Sequence, residues 1–236
     1  MSKMPKWMAN AMESLLKSLY FECTVVAIEP WNAELLKIEL KSLTPMPNCK
    51  FGDAISIRVS DTEFRNYTPI TIKDQPDCFY ILFHLHSGTL GNDYIEHLKI
   101  GDRLKMVIPR GRSPLQGVAD MHVVVTDETG LGFALNMIHE YESIQQPCYV
   151  ITENNPINTS TITELFKPVI SVRKGQIEQG LNLFFEQYFI SVAKTHFYLI
   201  GNAKTIQQTM MLLKQKGISS HNIFSQPFWS LGKKGL

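Results

Sequence analysis

A change of sequence rhythm near residue 116 constrains the fold of this chain more than any other feature. Upstream, short alternating or β-branched runs are separated by turn residues, a pattern typical of a small antiparallel barrel. Downstream, short apolar runs alternate with helical segments, a pattern typical of a parallel sheet covered by helices on both faces. We therefore predict an α/β two-domain chain, with a six-stranded antiparallel β-barrel over residues 21–115 and a doubly wound parallel α/β sheet over residues 116–236.

The individual elements are predicted from hydrophobic periodicity and turn residues. In the first domain the predicted strands cover residues 21–28, 33–40, 54–59, 64–72, 78–85 and 104–108, and one short helix covers 92–98. In the second domain the predicted strands cover residues 122–126, 148–151, 169–172, 197–200 and 222–225, and the helices cover 134–144, 161–166, 181–192 and 203–216. Residues 1–20 are amphipathic and predict a packing helix, with an interfacial anchor as the alternative.

Composition and charge argue against several functional classes. The formal net charge of +1 gives no argument for nucleic acid or a membrane surface, and no stretch has the pattern of a secretory signal or a membrane span. The four cysteines are far apart and form no C-x-x-C pair, which argues against an iron–sulfur cluster or a structural zinc site. We expect a cytoplasmic monomer with reduced thiols and no metal site.

The stretch from Phe64 to Ile70 carries the most specific chemistry of the first domain. In extended chain Arg65 and Tyr67 share one face, while Thr68 lies on the other face or is turned by the following proline. Arg offers a forked cation for phosphate, Tyr a flat face for stacking and Thr a short hydroxyl. These side chains suit an aromatic, phosphorylated ligand, but this stretch alone slightly favours a half-buried edge strand with a solvated Arg.

Four segments, in the same order, resemble motifs of the siderophore-interacting proteins, which are FAD-dependent ferric-siderophore reductases of the ferredoxin-reductase superfamily. The resemblance extends from about Phe21 to Gly235 and therefore covers nearly the whole chain. The four segments are the R-x-Y-[ST] flavin motif at residues 65–68, the run 86–94 followed by 101–104 and 109–111, the D-E-T turn at 127–129, and the F-W-x-x-G segment at 228–232.

The resemblance implies that Arg65 pairs with the FAD pyrophosphate and that Tyr67 packs on the isoalloxazine ring. It also implies that Thr68 hydrogen-bonds near flavin N5, so that Thr68 and Tyr67 are the catalytic residues. The cofactor-binding residues that it implies are Arg65, Asn66, Tyr67, Thr68, His86, Thr89, Leu90, Gly91, Asn92, Tyr94, Asp127, Thr129, Phe228 and Trp229.

This sequence departs from the family at two places. The family's Gly-Pro-Ala-Ser and Trp correspond here to residues 89–92 and Tyr94, where we expect Asn92 to cap the helix. The second departure is at Gly132, where the family has a Pro. The turn after residue 126 also lacks the complete G-x-G-x-x-G of the usual dinucleotide fingerprint, although Gly130 and Gly132 permit close backbone approach. Without the resemblance, the segment is a tight βα turn in which Asp127 is a solvated or capping acid.

The last segment and three lysines each have two interpretations. Phe228 and Trp229 return to the flavin in the family, or are core aromatics. A cationic platform for a large, anionic ferric chelate is the functional interpretation of the lysines, and solvated surface charge is the alternative. These lysines are Lys50, Lys233 and Lys234.

We predict from this resemblance an FAD-dependent reductase that converts Fe(III) in a siderophore to Fe(II), with electrons from NAD(P)H or reduced ferredoxin. Oxygen chelators hold Fe(II) more weakly, so reduction releases the iron. Two alternatives remain open: a general flavin reductase or protein-partner reductase without a siderophore site, and a non-enzymatic siderophore-binding module. Arg173 and Lys174 follow a predicted strand and suit a 2′-phosphate, but the sequence does not choose between NADH, NADPH and ferredoxin.

Overall fold

The computed structural model describes residues 20–43, 49–50, 52–86, 88–111, 119–188, 191 and 194–232. These residues belong to two compact units, one before residue 112 and one after it. The first contains an antiparallel sheet and the second a parallel sheet with helices, so the predicted fold class is confirmed. The predicted helix at residues 1–20, apart from Tyr20, and the predicted boundary at 115 lie outside the described residues.

The first unit is a seven-stranded antiparallel sheet with the order β4-β3-β7-β1-β2-β6-β5. Its elements are β1 (Tyr20–Pro30), β2 (Leu35–Ser42), β3 (Asp53–Arg58), β4 (Phe64–Tyr67), β5 (Ile70–Ile72), β6 (Gln75–His84), helix α1 (Leu90–Glu96) and β7 (Arg103–Gly111). Six strands were predicted from the sequence because residues 64–72 have the pattern of one continuous strand. Pro69 has no N–H for a sheet ladder, and the chain there leaves β4 and enters β5.

The two edges of this sheet are consecutive in sequence. Strand β4 ends at Tyr67 and β5 begins at Ile70, so only Thr68 and Pro69 lie between them. Three Cα–Cα steps span at most about 11 Å, whereas a flat seven-stranded sheet would separate its edges by roughly 29 Å. The sheet must therefore be rolled, as in a barrel, so that its two edge strands come close together. We call the line between these edge strands, β4 and β5, the seam, and the two-residue link crosses it. Thr68 is only 9% exposed there.

The inside of the rolled sheet is filled by alternate side chains of its strands, as the period of two requires. Strand β1 buries Phe21, Cys23 and Val25 on one face while the residues between them are more exposed. The same alternation on β2, β3, β6 and β7 completes one apolar cluster. The main buried members from those strands are Ile38, Leu40, Ile55, Ile57, Phe79, Ile81, Phe83, Leu104 and Met106.

The second unit is a five-stranded parallel sheet with the order β10-β9-β8-β11-β12. Its strands are β8 (Met121–Thr126), β9 (Cys148–Asn154), β10 (Val169–Arg173), β11 (Thr195–Asn202) and β12 (Ile223–Trp229). Its helices are α2 (Leu131–Ser143), α3 (Thr159–Leu165), α4 (Ile177–Gln187) and α5 (Ala203–Gln215). The chain winds to one side of β8 and then to the other, so the strand order reverses between β8 and β11. In such sheets ligands bind at the carboxyl ends of the strands beside this switch point.

Helices pack against this sheet on both of its faces. Leu181 and Phe184 of α4 share a core cluster with Val123 and Val125 of β8, while the Phe133 ring of α2 lies 6.4 Å from that of Tyr198. Among the described residues, no helix is both long and apolar enough to cross a bilayer.

A polar cluster occupies the amino ends of β8 and β11. The buried ring of His122 is stacked on Tyr141 with centroids 3.5 Å apart. Its Nε2 lies 2.9 Å from Oε1 of Gln146 and its Nδ1 lies 3.3 Å from the Tyr198 hydroxyl. These contacts suit a neutral ring whose Nε2–H donates, and burial lowers the pKa of His122 accordingly. The cluster is a satisfied part of the core, at the opposite sheet edge from the switch-point crevice.

Candidate functional site

Arg65 lies in β4 with its guanidinium partly exposed. Its Nη1 donates to the carbonyl of Phe64 over 2.9 Å, and its Nη2 forms an ion pair with Glu63 Oε2 over 2.5 Å. A guanidinium has five N–H donors, so these contacts with described residues leave three for a ligand. With a side-chain exposure of 33%, the group is held in place yet open to an anion.

Tyr67 lies on the same face of β4 and packs on the core of the first unit. Its ring meets Phe83 in an edge-on contact with centroids 4.7 Å apart. Burial raises the pKa of Tyr67 to about 12, with Arg65 acting in the opposite direction. The phenol is therefore neutral near pH 7, and the residue is half-buried beside Arg65.

Gly91 of α1 joins the second predicted segment to Arg65 and Tyr67. A Cβ at Gly91 would lie 3.2 Å from the Tyr67 hydroxyl and 3.4 Å from Cγ of Arg65. The structure thus brings together residues that are separated by more than twenty positions in sequence. The absence of a side chain at Gly91 allows the start of α1 to approach the cation and the phenol closely.

Asn66 and Thr68 do not share the face of Arg65 and Tyr67. Asn66 is exposed, and its Oδ1 accepts a hydrogen bond from Ser56 Oγ on β3 over 2.5 Å. Thr68 is buried in the link between the sheet edges. The strand period predicted this separation, so a role for Asn66 or Thr68 toward a cofactor stays a prediction.

The residues before and within α1 form a local hydrogen-bonded unit. The helix cap is Thr89, whose Oγ1 accepts from the backbone N of Asn92 over 3.4 Å, and the expectation that Asn92 caps the helix is wrong. Instead, the Asn92 side-chain amide donates to the carbonyl of His86. Leu90 is 47% exposed at the first turn of the helix. Tyr94 packs on the core, and its phenol adds slightly to the raised pKa of Tyr67.

Asp127 is the centre of a buried cluster at the carboxyl end of β8. Its Oδ1 accepts from the Thr129 backbone N over 3.0 Å and from Thr129 Oγ1 over 2.5 Å, and its Oδ2 accepts from Trp229 Nε1 over 2.7 Å. Burial raises the pKa of Asp127 to about 6, although these hydrogen bonds act to lower it. Of the four cofactor-binding residues predicted in the second unit, Asp127, Thr129 and Trp229 are therefore in contact. The fourth, Phe228, lies in β12 next to Trp229.

Gly201, which was not predicted from the sequence as a site residue, explains how Trp229 reaches Asp127. Strand β11 lies between β8 and β12, so the indole must cross β11 to reach the carboxylate. Gly201 ends the apolar run of β11 with a φ of +103°, and a Cβ there would overlap Asp127 Oδ1. A glycine directly after the predicted strand 197–200, at the ligand edge of a parallel sheet, was the signal in the sequence.

Two further carboxylates, neither of them predicted from the sequence, are buried at the same sheet edge. Glu128 Oε1 accepts from the backbone N of Asn155 over 2.8 Å and pairs with Lys174 Nζ over 3.3 Å. Glu153 accepts from the backbone N of Gly175 over 2.9 Å, and from a threonine hydroxyl on α5. Lys174, a candidate for a 2′-phosphate, is thus already paired with an internal anion.

The predicted cationic platform is mostly beyond the described residues. Lys50 is exposed, and its backbone N donates to Asp53 Oδ2 over 2.8 Å in the turn before β3. Lys233 and Lys234 lie outside the described residues. The role of the three lysines stays a prediction.

Solved structures of other proteins share the fold of this chain. No family model and no curated protein matches the sequence. The siderophore-interacting protein from Acinetobacter baumannii superposes with a TM-score of 0.73 at 16% identity, over 91% of this chain and 92% of that one. Phthalate dioxygenase reductase, described as transferring electrons from pyridine nucleotides to a [2Fe-2S] centre, gives 0.74 at 17% identity, over 92% and 70%.

The flavohemoglobin from Malassezia yamatoensis, solved with bound FAD and haem, gives a TM-score of 0.71 at 14% identity, over 94% of this chain and 66% of that one. The chain has the fold of these three proteins. The structural resemblance to siderophore-interacting and ferredoxin-reductase-like proteins that the sequence predicted is confirmed at the level of fold.

Replacing Gly201 by Ala should destabilise the second unit. The added Cβ would overlap Asp127 Oδ1, and Ala disfavours the positive φ, so we expect a loss of about 2–4 kcal/mol in the free energy of unfolding. Gly217 is the matched control because its φ is +81° but no described atom lies within 4 Å of an added Cβ; Gly217→Ala should cost about 1 kcal/mol. Urea unfolding measures both, and equal losses would contradict the packing role of Gly201.

The raised pKa of Asp127 predicts a stability that falls as pH rises. A carboxyl whose folded pKa is about 6, above its ordinary 3.8, contributes fully below pH 3.8 and loses this contribution as pH rises through 6. The shift corresponds to about 3 kcal/mol. The unfolding free energy of the wild type, minus that of Asp127→Asn, should therefore decrease between pH 4 and pH 8. A difference independent of pH would show that the carboxyl keeps its ordinary pKa.

Proposed function

We propose that this protein is an FAD-dependent oxidoreductase that reduces ferric siderophores, with NAD(P)H or reduced ferredoxin as electron donor. The observation that carries the proposal is the meeting of Arg65, Tyr67 and Gly91. A partly exposed guanidinium, a neutral phenol and a backbone without a side chain lie on one face of the first unit. The arrangement fits a ligand that combines a phosphate with an aromatic ring system.

FAD fits these residues. Arg65 would hold the pyrophosphate through its remaining N–H donors, and Tyr67 would pack against the isoalloxazine. Gly91 would contribute indirectly, because its lack of a side chain lets the start of α1 pack against Arg65 and Tyr67 and hold both side chains in place. When bound, FAD supplies the conversion between two-electron and one-electron transfer that Fe(III) reduction needs. Thr68, at the seam between β4 and β5, is our candidate for a hydrogen bond near flavin N5.

Structural similarity supports the iron substrate. The chain shares its fold with the siderophore-interacting protein of Acinetobacter baumannii over nine-tenths of both chains, and the sequence carries four motif segments of that family in order. The ferric siderophore is the substrate, so the protein need not ligate the iron itself. We assign its binding to Lys50, Lys233 and Lys234, whose charges suit an anionic chelate, and we place the reaction in the cytoplasm.

The electron donor is assigned to the second unit. The carboxyl ends of β8 and β11 form the switch-point crevice of this sheet, where doubly wound folds bind nucleotides. Asp127, Thr129 and Trp229 meet at this crevice. In our proposal Asp127 holds the indole of Trp229 in position beside the donor.

A protein-partner reductase is the second candidate function. The TM-score of 0.74 to phthalate dioxygenase reductase is as high as that to the siderophore-interacting protein. In this case the flavin would pass electrons to a protein acceptor, and the lysines would have no part in binding the acceptor. The flavin half of the proposal is the same for both candidates.

Arg65→Ala should weaken FAD binding by about one to two orders of magnitude, because it removes a charge-assisted contact to phosphate. Arg103→Ala is the matched control, since Arg103 is exposed on β7 of the same unit. Flavin absorbance of the purified proteins and fluorescence titration of the apo-proteins measure the effect. Equal affinities of the two variants would remove the assigned role of Arg65.

The iron-reducing activity is tested by anaerobic reduction of the flavin-loaded protein, with NADH, NADPH or reduced ferredoxin in separate experiments. Ferric siderophore is then added with an Fe(II) chelator, and both flavin reoxidation and Fe(II) are followed. We expect stoichiometric Fe(II) formation. Reoxidation by soluble flavin or an iron–sulfur protein, with none by ferric siderophore, would favour the second candidate, whereas a protein that binds no FAD would exclude both.

A further inference from the structure

The imidazole rings of His84 and His86 form a nearly parallel pair at the end of strand β6. Their centroids lie 5.6 Å apart, and their planes differ by only 15°. His84 is the last residue of β6 and His86 follows two positions later, a spacing that places both side chains on the same face of extended chain. Because aromatic rings at this separation attract each other, the ring of His84 restricts the orientations open to the ring of His86.

The ring of His84 is itself held by the chain at the start of β2. Its Nε2 lies 3.5 Å from Oε2 of Glu34, and the His84 side chain is only 9% exposed. The backbones are paired at the same place, since His84 lies opposite Leu35 in the ladder and the backbone N of Leu85 donates to the carbonyl of Glu34 over 2.7 Å. His84 is therefore a fixed support for the ring that follows it.

His86 is exposed, but its backbone is tied to helix α1. Its carbonyl accepts a hydrogen bond from the side-chain amide of the buried Asn92. Asn92 directly follows Gly91, which packs beside Arg65 and Tyr67. His86 is thus connected, through one hydrogen bond and the first turn of α1, to the residues that the proposed function assigns to FAD.

Resting on the proposed function, we propose that His84 is a positioning residue for the contact between His86 and the flavin. Glu34 holds the ring of His84, and this ring holds the ring of His86 in one orientation. The exposed part of His86 then meets the flavin without first being ordered by it. Fixing a contact group before the ligand arrives lowers the entropic cost of binding, so His84 strengthens flavin binding without touching the flavin.

A double-mutant cycle tests whether His84 acts through His86. His84→Ala should weaken FAD binding about two- to tenfold, because the ligand must then immobilise the ring of His86 itself. His86→Ala should weaken it by at least as much. Once His86 is Ala, replacing His84 should have no further effect, so the double variant should bind FAD as His86→Ala does. Fluorescence titration of the apo-proteins gives these affinities.

Two further replacements of His84 separate the role of its ring from that of its polar contact. His84→Phe keeps a flat ring and loses the polar contact with Glu34, so it should retain most of the affinity. His84→Gln keeps a polar group for Glu34 and loses the ring, so it should behave like His84→Ala. The matched control is His97→Ala, because His97 is an exposed histidine at the end of α1 in the same unit.

Visible circular dichroism of bound FAD distinguishes positioning from a loss of stability. At saturating FAD, the spectrum of His84→Ala should depart from the wild type in the same direction as that of His86→Ala, while that of His97→Ala should not change. A replacement that only destabilises the first unit would lower the urea midpoint and leave this spectrum unchanged.

Additive losses in the double variant overturn the proposal, since His84 would then act independently of His86. Wild-type affinity in folded His84→Gln, or the affinity of His84→Ala in folded His84→Phe, overturns it as well, because the ring would not be the supporting group. Wild-type affinity in His86→Ala would leave His84 no flavin contact to position. If neither the wild type nor any variant binds FAD, the proposed function fails and this inference fails with it, whereas equal FAD binding by the wild type and His84→Ala rejects the inference alone.

Discussion

The two-residue link between the edges of the first sheet is the constraint on which the candidate site depends. Thr68 and Pro69 must connect β4 to β5, so the seven strands cannot lie flat and the sheet rolls until its edges approach each other. The last strand before the seam carries Arg65 and Tyr67 on one face. The position of the cation and the phenol is therefore determined by the closure of the sheet, and not by a mobile loop.

Carboxylates that are buried or nearly buried occur in both units, and in each case other groups of the protein stabilise the negative charge. Asp127 and Glu128 are nearly inaccessible to solvent, and each is surrounded by donors from separate segments of the chain. Burying a carboxylate is costly unless such partners are supplied. At β4 the partner of Glu63 is itself the proposed ligand-binding group. Part of the electrostatic energy that a ligand would gain from Arg65 is consequently already used within the protein.

Sequence periodicity predicted most of the architecture because each pattern has a direct physical cause. Parallel strands buried on both faces are continuous apolar runs, and β8 and β11 were placed to within a few residues for that reason. The division of residues 64–72 into two strands was not predicted. A proline in a strand-like run does not by itself indicate that the chain passes from one edge of the sheet to the other. Element boundaries depend on such tertiary pairing.

The candidate site was predictable only as far as its residues act through their own chemistry. Arg65 and Tyr67 were found because a cation and an aromatic ring on one strand face suggest a ligand. Gly201 was missed because it matters through a close contact with Asp127, which is distant in the sequence. Glu63 was missed because a single sequence does not show that its carboxylate pairs with Arg65, two positions away. The helix cap was assigned to Asn92, although Thr89 is the residue with extended φ and ψ and thus the one able to cap.

The seam has a consequence for how proteins of this architecture can vary in length. Most surface connections tolerate insertions, because the entropic cost of a longer loop rises slowly. An insertion between Tyr67 and Ile70 is different, since it would release the tether that keeps both sheet edges together and would let the barrel open beside Arg65. Natural length variation and engineered fusions are therefore expected in the other turns of the first unit, while this link keeps its two residues.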